Sequence, residues 1–529
     1  MSPMQLMASP VDRSALPDDA EVLKDLLVQA GAAFQALRQQ ANAQMASLAA
    51  QLAEFKRKVF GPRGEGLSLL QPELWQDRVE IPVPPEAFDE VKGHRRRRSG
   101  RPAIDPDLPR RRVEHDLSEQ EKAQFARVVC IGEEISETLE YTPAKLEVLQ
   151  HARLKYRCED ECGASTIRTA WAQPSPLARS NAGPGLLAHV TVSKYADHNP
   201  LARIERILGR HHAGASPPVS RQTLCDWTLG TMELLSPLMP LLQRHVLGSA
   251  VIFTDDTTLA LKAQRGDGRG KTITARLWVY LAGGWLPDEQ GRWRRVAPAA
   301  LYDFTTDRSG EHARRMLGAW RGLLQADDFA GYAQSFREGI THAACLVHAR
   351  RRFARIVKDA PKGSPPGLAH EAMRFFAEIY RIEGEIRDAD PDERWRVRQE
   401  RTRPVMQDLH GWLRGHAPTV LPKSPLGEAF GYALSNWAAL NTFVEHGILE
   451  ADNNLSERAL KPVALSRKNW LFAGSERGGR AAAVAFSLIE TAKLNGVEPY
   501  AYLRDVLQRI NGHRQDRLEE LLPMYWKPA

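Results

Sequence analysis

Residues Val251 to Asp256 read VIFTDD, an apolar run that ends abruptly in two aspartates. A second stretch, Leu323 to Asp328, has the same form in LLQADD. A third, Asp452 to Arg458, reads DNNLSER and predicts the start of a helix that carries Glu457. A buried strand that ends in an acid delivers a carboxylate to the rim of a sheet. The three stretches therefore predict acids that converge on one divalent metal site for phosphoryl transfer.

The segments between these acids predict a mixed α/β domain. The predicted strands are 251–255, 271–281, 300–304, 323–326 and 342–347, and the predicted helices are 310–320 and 332–338. Three hairpin-joined strands followed by helix, strand, helix and strand are the order of a ribonuclease-H-like fold. In that fold the first and fourth strands lie side by side at the centre of the sheet. Acids on these two strands are therefore expected to be neighbours.

Each acid has an alternative next to it. Successive strand residues face opposite ways, so only one of Asp255 and Asp256 can point at a metal, and the same holds for Asp327 and Asp328. Asp452 resembles a helix N-cap, and Glu457 could simply pair with a nearby base. The local pattern leaves these choices open.

Length, charge and cysteine content limit the class of protein. A chain of 529 residues is expected to form several domains. The net charge of +7 favours a polyanionic partner, and nine of the 21 residues in 92–112 are Lys or Arg. Five cysteines, with no apolar leader and no run long enough to span a bilayer, predict a cytoplasmic protein with no membrane partner.

The N-terminal third predicts a coiled coil followed by a basic linker. From Leu23 to Val59 apolar residues step by fours and threes, which predicts a zipper over 18–60 and a homo-oligomer. A single long helix packed on its own protein is the alternative. Residues 61–112 predict a flexible linker that contains HRRRRSGRP, an element suited to DNA phosphates and the minor groove. Its candidate DNA-binding residues are Arg95, Arg96, Arg97, Arg98 and Arg101.

Two small units precede the acids. Residues 113–172 hold Cys130, Cys158 and Cys162, an incomplete zinc-ligand set that predicts a degenerate, zinc-finger-like or metal-free module. Residues 173–248 predict two helices that could form a helix-turn-helix. Ser220 is the expected N-cap of a second helix that runs through Leu241 and opens with Arg221 and Gln222, which suit base edges or phosphates.

Long strings of the sequence resemble the large transposase of the insertion-sequence sixty-six family, a bacterial group of the Asp-Asp-Glu superfamily. The resemblance covers nearly the whole chain. Its marks are LAEFKRKVFG (52–61), PLARIERIL (200–208), LLQADDFAGY (323–332), HAACLVHARRRF (342–353), EADNNLSERALKPVALSRKNWLFAGSERGG (450–479) and ETAKLNGVEPYAYLRDVLQRI (490–510).

The resemblance implies Asp255, Asp327 and Glu457 as catalytic acids that bind Mg²⁺ or Mn²⁺, with two ions expected. It implies a catalytic domain over 249–480, a helical insertion at about 361–447 and a helical tail over 481–529. Cys345-x2-His348 resembles a motif beside the acids in related groups and implies a supporting role; the alternative is that Cys345 packs in the strand and His348 caps the sheet. The remaining candidate DNA contacts are Arg350, Arg351, Arg467 and Lys468.

Three departures from the family pattern stand out. A cysteine pair usual before Gly132 is missing, which bears on zinc binding. Asp256 stands where the family has Glu, and Asp328 where it has Gly.

The resemblance implies a transposase that binds the terminal inverted repeats of its element, cleaves their 3′ ends and transfers them to target double-stranded DNA. Small accessory proteins of the same element are possible further partners, and the protein would be nucleoid-associated when DNA-bound. A catalytically silent DNA-binding protein or domesticated relic is the alternative, and a general metal nuclease is a third.

Overall fold

The computed structural model of the chain describes residues 155–159, 165–169, 175–178, 180–210, 219–262, 272–361 and 363–528, with isolated positions at 22, 29 and 31. These three positions are helical; the rest of the predicted coiled coil lies outside the described residues. The basic linker with its five candidate arginines, Cys130 and Cys162 also lie outside them. Cys158 is described for its backbone alone.

Nine strands are described. They are β1 (Lys155–Glu159), β2 (Ser165–Thr169), β3 (Val251–Lys262), β4 (Thr272–Ala282), β5 (Trp285–Pro287), β6 (Trp293–Arg295), β7 (Ala299–Thr305), β8 (Leu323–Ala326) and β9 (Thr341–Ala344).

Fifteen α-helices are described. They are α1 (Pro184–Tyr195), α2 (Leu201–Arg210), α3 (Arg221–Leu235), α4 (Leu238–Leu247), α5 (Gly310–Leu317), α6 (Ala333–Arg337), α7 (Leu346–Asp359), α8 (Leu368–Glu385), α9 (Pro391–Val397), α10 (Arg403–His416), α11 (Pro425–Ser435), α12 (Trp437–Glu445), α13 (Asn454–Trp470), α14 (Glu476–Leu494) and α15 (Pro499–Arg509).

A five-stranded mixed sheet lies at the centre, in the order β7-β4-β3-β8-β9. Within this sheet, β4 pairs antiparallel with both β3 and β7. Strands β3, β8 and β9 run parallel to one another. The first and fourth predicted strands, β3 and β8, are therefore adjacent, as predicted. Apolar side chains of both strands are buried, and helices α4, α12, α13 and α14 pack against strands of the sheet.

Both outer strands of the sheet bond to neighbouring helices through hydroxyl groups. On β7, the Ala300 and Tyr302 amides donate to Thr491 and Ser487 of α14, at 3.0 and 2.8 Å. On β9, the His342 carbonyl accepts from Thr442 of α12 at 2.9 Å. These hydroxyls satisfy backbone groups that a sheet edge would otherwise leave open.

Two predictions of secondary structure were wrong in detail, and one hairpin was missed. The second helix, predicted to run unbroken to Leu241, is divided into α3 and α4. The break occurs because Pro237 has no N–H to donate to the Glu233 carbonyl one turn earlier. The predicted strand 342–347 ends at Ala344, and Leu346 already begins α7, since a short apolar run suits a strand or a buried helix equally. The β5–β6 hairpin was not predicted.

The predicted N-cap at Ser220 was confirmed. Ser220 caps α3 by accepting a hydrogen bond from the Thr223 amide at 3.2 Å. The segment predicted as a helical insertion contains α8 to α12. The predicted boundary at 480 lies within α14. Among the described residues, no helix has the length and apolarity needed to cross a membrane.

We expect Gly447→Ala to destabilise the fold. Gly447 passes so close to Pro391 that an added Cβ would lie 1.8 Å from that residue's carbonyl oxygen. Backbone cannot yield as a flexible side chain can, so the free energy of unfolding should fall by about 1–3 kcal/mol in urea titrations. The control is Gly411→Ala on α10, where the added Cβ meets nothing within 4 Å. That variant should gain roughly 0.5–1 kcal/mol, and equal stabilities would contradict the packing described.

Cys345 should resist alkylation in the folded protein. Its side chain is fully buried at the start of α7, and burial raises the pKa of the thiol to about 12. Because the thiolate is the nucleophile, iodoacetamide at neutral pH should label the half-buried Cys225 first and Cys345 only after unfolding. Peptide mass spectrometry over time separates the two sites. Equal labelling rates in the native state would show that this junction opens readily.

Candidate active site

Three distant segments bring their acids to one place. Asp255 lies on β3, Asp327 follows β8 directly, and Glu457 lies in the first turn of α13. The parallel register pairs Phe253 with Gln325, so the same register two residues on sets Asp255 level with Asp327. Helix α13 packs against β3, which brings Glu457 to the same end of the sheet.

Asp255 faces the other two acids. Burial raises the pKa of its carboxyl well above the ordinary value, and the charges of Asp327 and Glu457 raise it further. A hydrogen bond from the Asp256 amide opposes this rise in part. Of the three carboxylates that the resemblance implied, Asp255 therefore lies close enough to Asp327 and to Glu457 to be repelled by both.

Asp256 faces two arginines instead. Its side chain is only 2% exposed and accepts from Arg276 at 2.9 Å and from Arg308 at 2.7 Å. Successive strand residues face opposite ways, which explains the different surroundings of Asp255 and Asp256. The extra acid that departs from the family pattern is thus neutralised by ion pairs.

Arg308 connects this ion pair with the acid cluster. Its guanidinium also lies 3.4 Å from the Asp327 carboxylate and 4.2 Å from the centre of the Phe329 ring. Burial raises the pKa of Asp327, and the charge of Arg308 opposes that rise. Sequence reasoning missed Arg308, because nothing in its local sequence distinguishes it from a surface arginine.

Glu457 is held by helix α7. Arg351 lies 3.3 Å from both carboxylate oxygens, and the His348 ring nitrogen Nε2 lies 3.7 Å from one of them. Burial and the neighbouring arginines, Arg351 first, lower the pKa of His348 to about 4, so its ring is neutral at pH 7. His348, a predicted supporting residue, and Arg351, a predicted DNA contact, therefore both lie beside Glu457.

The other two residues of this motif lie elsewhere. The Cys345 sulfur accepts a hydrogen bond from the Asn453 amide at 3.2 Å, inside the core. The Arg350 guanidinium lies 6.0 Å from the Tyr380 ring centre. Cys345 is thus hydrogen-bonded to the backbone just before α13 and not to one of the three acids.

Buried amides fix the loop that leads to Glu457. Asn453, which is fully buried, donates to the Thr254 carbonyl at 2.8 Å, and Gln325 donates to the Glu450 carbonyl at 2.7 Å. These bonds join the start of α13 to β3 and β8. Sequence reasoning missed both residues, although a glutamine inside the apolar run LLQA is a usable signal.

The remaining candidate DNA contacts lie on two elements. Arg221 and Gln222 are exposed at the start of α3, where the Gln222 side chain donates to Asp226 at 3.1 Å. Arg467 donates to the Thr258 carbonyl at 2.7 Å and so binds β3, whereas Lys468 is exposed. The structure thus places Arg467 close to the strand that carries Asp255.

Carboxylate oxygens are the donors that Mg²⁺ and Mn²⁺ prefer, so the chemistry of the acid set fits such ions. In the part of the chain that the structure describes, no three His, Cys, Asp or Glu side chains already stand in a coordinating arrangement. Arg308 and Arg351 contact two of the carboxylates at 3.3–3.4 Å, longer than the usual 2.7–2.9 Å of a charge-assisted bond.

Comparison with known proteins identifies four segments. The model of the transposase IS66 family matches residues 179–481, and the IS66 C-terminal element matches 487–524. The zinc-finger binding domain of transposase IS66 matches 124–162, and the model described as transposase C of IS166 homeodomain matches 47–113.

Two relatives come from Sinorhizobium fredii (strain NBRC 101917 / NGR234). Uncharacterized protein y4jD is 34% identical over 514 residues, covering 92% of this chain and 96% of the relative. Uncharacterized protein y4hP is 32% identical over 508 residues, covering 91% and 89%. No solved structure gives a significant match. With a family model that spans more than half of its length, the chain belongs to the IS66 family of transposases.

Proposed function

We propose that the protein binds the terminal inverted repeats of its own element and catalyses metal-dependent cleavage at their 3′ ends, followed by strand transfer. The observation that carries this proposal is the convergence of Asp255, Asp327 and Glu457 from three distant segments. Family membership supplies the DNA substrate class. Asp256 is paired with two arginines, whereas the charged groups that shift the pKa of its neighbour Asp255 are all carboxylates, which is the environment expected of a metal-binding acid.

The strand order supports a ribonuclease-H-like catalytic domain. Three strands, β3, β4 and β7, pair antiparallel, and β3 also pairs in parallel with β8, which pairs in parallel with β9. In this order Asp255, within β3, is level with Asp327, directly after β8, which supports the proposal. Helices α7 to α12 separate β9 from the helix with Glu457. The third acid thus comes from beyond an insertion and still reaches the first two.

Asp255, Asp327 and Glu457 would hold Mg²⁺ or Mn²⁺, with two ions proposed. Such ions activate the attacking water or 3′-hydroxyl and stabilise the leaving oxygen of the phosphodiester. The carboxylates themselves supply hard oxygen ligands in a buried place. Because Asp255 is repelled by Asp327 and Glu457, binding of a cation among these carboxylates is favourable.

Arg308, Arg351 and His348 are proposed to position the acids and the DNA backbone. The two guanidinium groups contact carboxylates at distances that leave them free to tighten on a phosphate. His348 is neutral at pH 7 and can accept or donate a hydrogen bond beside Glu457 without adding charge.

The N-terminal units are proposed to serve DNA binding and assembly. The match to the zinc-finger binding domain supports a Zn²⁺ site that includes Cys158, although the family's first cysteine pair is missing here. The segment matched over 47–113 overlaps the predicted zipper and basic linker, which supports a homo-oligomer on DNA. Exposed Arg221 and Gln222 are proposed to contact the repeat. Accessory proteins of the element are proposed further partners.

Asp327→Asn should abolish nicking of labelled element-end DNA in Mg²⁺ or Mn²⁺. Metal stabilisation of the transition state supplies several kcal/mol, so nicking should fall by about a thousandfold. Asp328→Asn is the matched control, because Asp328 is exposed and accepts from Asn436 at 3.0 Å. It should cleave within about threefold of the unaltered protein, since surface substitutions cost little. Denaturing gels of end-labelled DNA give both rates.

Three other outcomes would change the assignment. Specific binding of the end DNA without nicking would support the catalytically silent DNA-binding protein. Nicking without preference for the ends would support a general metal nuclease. Equal nicking by Asp327→Asn and the unaltered protein would remove Asp327 from the site.

A further inference from the structure

Two large apolar side chains stand in solvent directly after α13. Leu471 is 65% exposed and Phe472 is 43% exposed. Leu471 also has a φ of +60°, a conformation that non-glycine residues rarely adopt. Such backbone strain persists only where the surrounding structure fixes it, and it is concentrated at functional sites.

The backbone at this pair is held by strand β3. The Ala473 amide donates to the Ala260 carbonyl at 2.8 Å, and the Lys262 amide donates to the Ala473 carbonyl at 3.0 Å. The Leu471 amide donates to the Arg467 carbonyl at 3.0 Å. Leu471 and Phe472 are thus presented on a fixed support, the far end of the strand that carries Asp255.

The surroundings of the pair are basic. A groove of about 420 Å³ separates this loop from α2 and α3, and Lys194, Arg221, Gln222 and Trp470 line it. The Lys194 ammonium lies 4.7 Å from the Trp470 ring centre. Among the described residues, no Asp or Glu lines the groove. Apolar side chains with basic flanks suit a base stacked beside its phosphates.

We propose that Leu471 and Phe472 form a wedge that enters the element-end DNA, displaces one base from the stack and takes its place against the neighbouring base. This inference rests on the proposed function. Proteins that insert apolar side chains between base steps unstack them and bend the duplex, and phosphate contacts offset the cost. Lys194, Arg221 and the exposed Lys468 are the bases that would contact those phosphates.

The position of the wedge beside β3 predicts its distance from the cleaved phosphate. Along β3, Ala260 lies five residues beyond Asp255, a span of about 17 Å at roughly 3.3 Å per residue. This corresponds to about five base pairs of a duplex with a rise of about 3.4 Å. For a duplex whose axis follows β3, the wedge therefore acts about five base pairs from the cleaved phosphate.

A second copy of the chain is a poorer occupant. Two side chains cover far less than the area of about 1,000 Å² that a stable protein interface needs. The lysine and arginine of the groove would also repel the same basic groove of another copy. DNA meets both requirements, because it brings its own negative charge and needs only one base step.

The experiment uses the full-length protein and duplex end DNA with 2-aminopurine placed singly at each of the ten positions on either side of the cleaved phosphate. In EDTA, fluorescence of the unaltered protein's complex should rise severalfold at one position about five base pairs from that phosphate. Phe472→Ala should lose this rise, and Phe472→Trp should keep it. The control is Leu494→Ala, since Leu494 is 47% exposed at the end of α14; it should behave as the unaltered protein.

Cleavage gives a second readout that a purely structural role would not move. Phe472→Ala should nick paired ends about tenfold more slowly, the factor that corresponds to about 1.4 kcal/mol of lost stacking. A mismatch at the fluorescent position should restore its rate, because the base is then already unpaired. Leu494→Ala should nick paired and mismatched ends alike.

The two proposals fail differently. Metal-dependent nicking with no fluorescence rise at any position would overturn the wedge and leave the transposase proposal intact. A fluorescence rise without nicking would overturn the proposed cleavage activity and leave the wedge intact. Absence of binding to the end DNA would overturn both. If Phe472→Ala instead changes the sedimentation of the free protein and leaves the fluorescence unchanged, the pair is a self-association surface and the wedge is wrong.

Discussion

The parallel pairing of β3 with β8 is the constraint on which the candidate site depends. It sets Asp255 and Asp327 level at the centre of the sheet, although the two stretches lie far apart in sequence. Helix α13 then needs only to reach one place to add Glu457. The amides of Asn453 and Gln325 fix that approach through bonds to backbone carbonyls on either side. Geometry of this kind comes from backbone pairing and not from contacts among the acids, which repel one another.

Charge balance around the acids is uneven. Asp256 has two arginine partners and almost no exposure, whereas Asp255 has only carboxylates as charged neighbours among the groups that shift its pKa. Arg308 contacts both Asp256 and Asp327, so the ion pair and the cluster share one guanidinium. A buried unpaired carboxylate is costly in free energy, which is a cost that catalytic sites often carry.

Sequence reasoning predicted the parts of the fold that follow from periodicity. The apolar runs before Asp255 and Asp327, the strand at β4 and the cap at Ser220 all depend on local pattern, and the structure contains all of them. The alternation predicted along β4 was wrong, because Ile273 is exposed and both faces are buried from Leu277 onward. Pairing between distant residues has no such signal. Arg308 and Arg351 meet their acids through tertiary packing, so only the coordinates show them as partners. The predicted end of strand β9 was wrong because the same short apolar run suits both a strand and a buried helix.

The hydroxyl bonds at both edges of the central sheet limit how copies of the chain can join. Ser487 and Thr491 accept the amides of β7, and Thr442 donates to a carbonyl of β9, so these backbone groups are already engaged. A neighbouring molecule that tried to add a strand there would first have to displace a packed helix. Growth of the sheet across molecules is thereby blocked at both ends, so any copies of the chain that associate would meet through surfaces away from the central sheet.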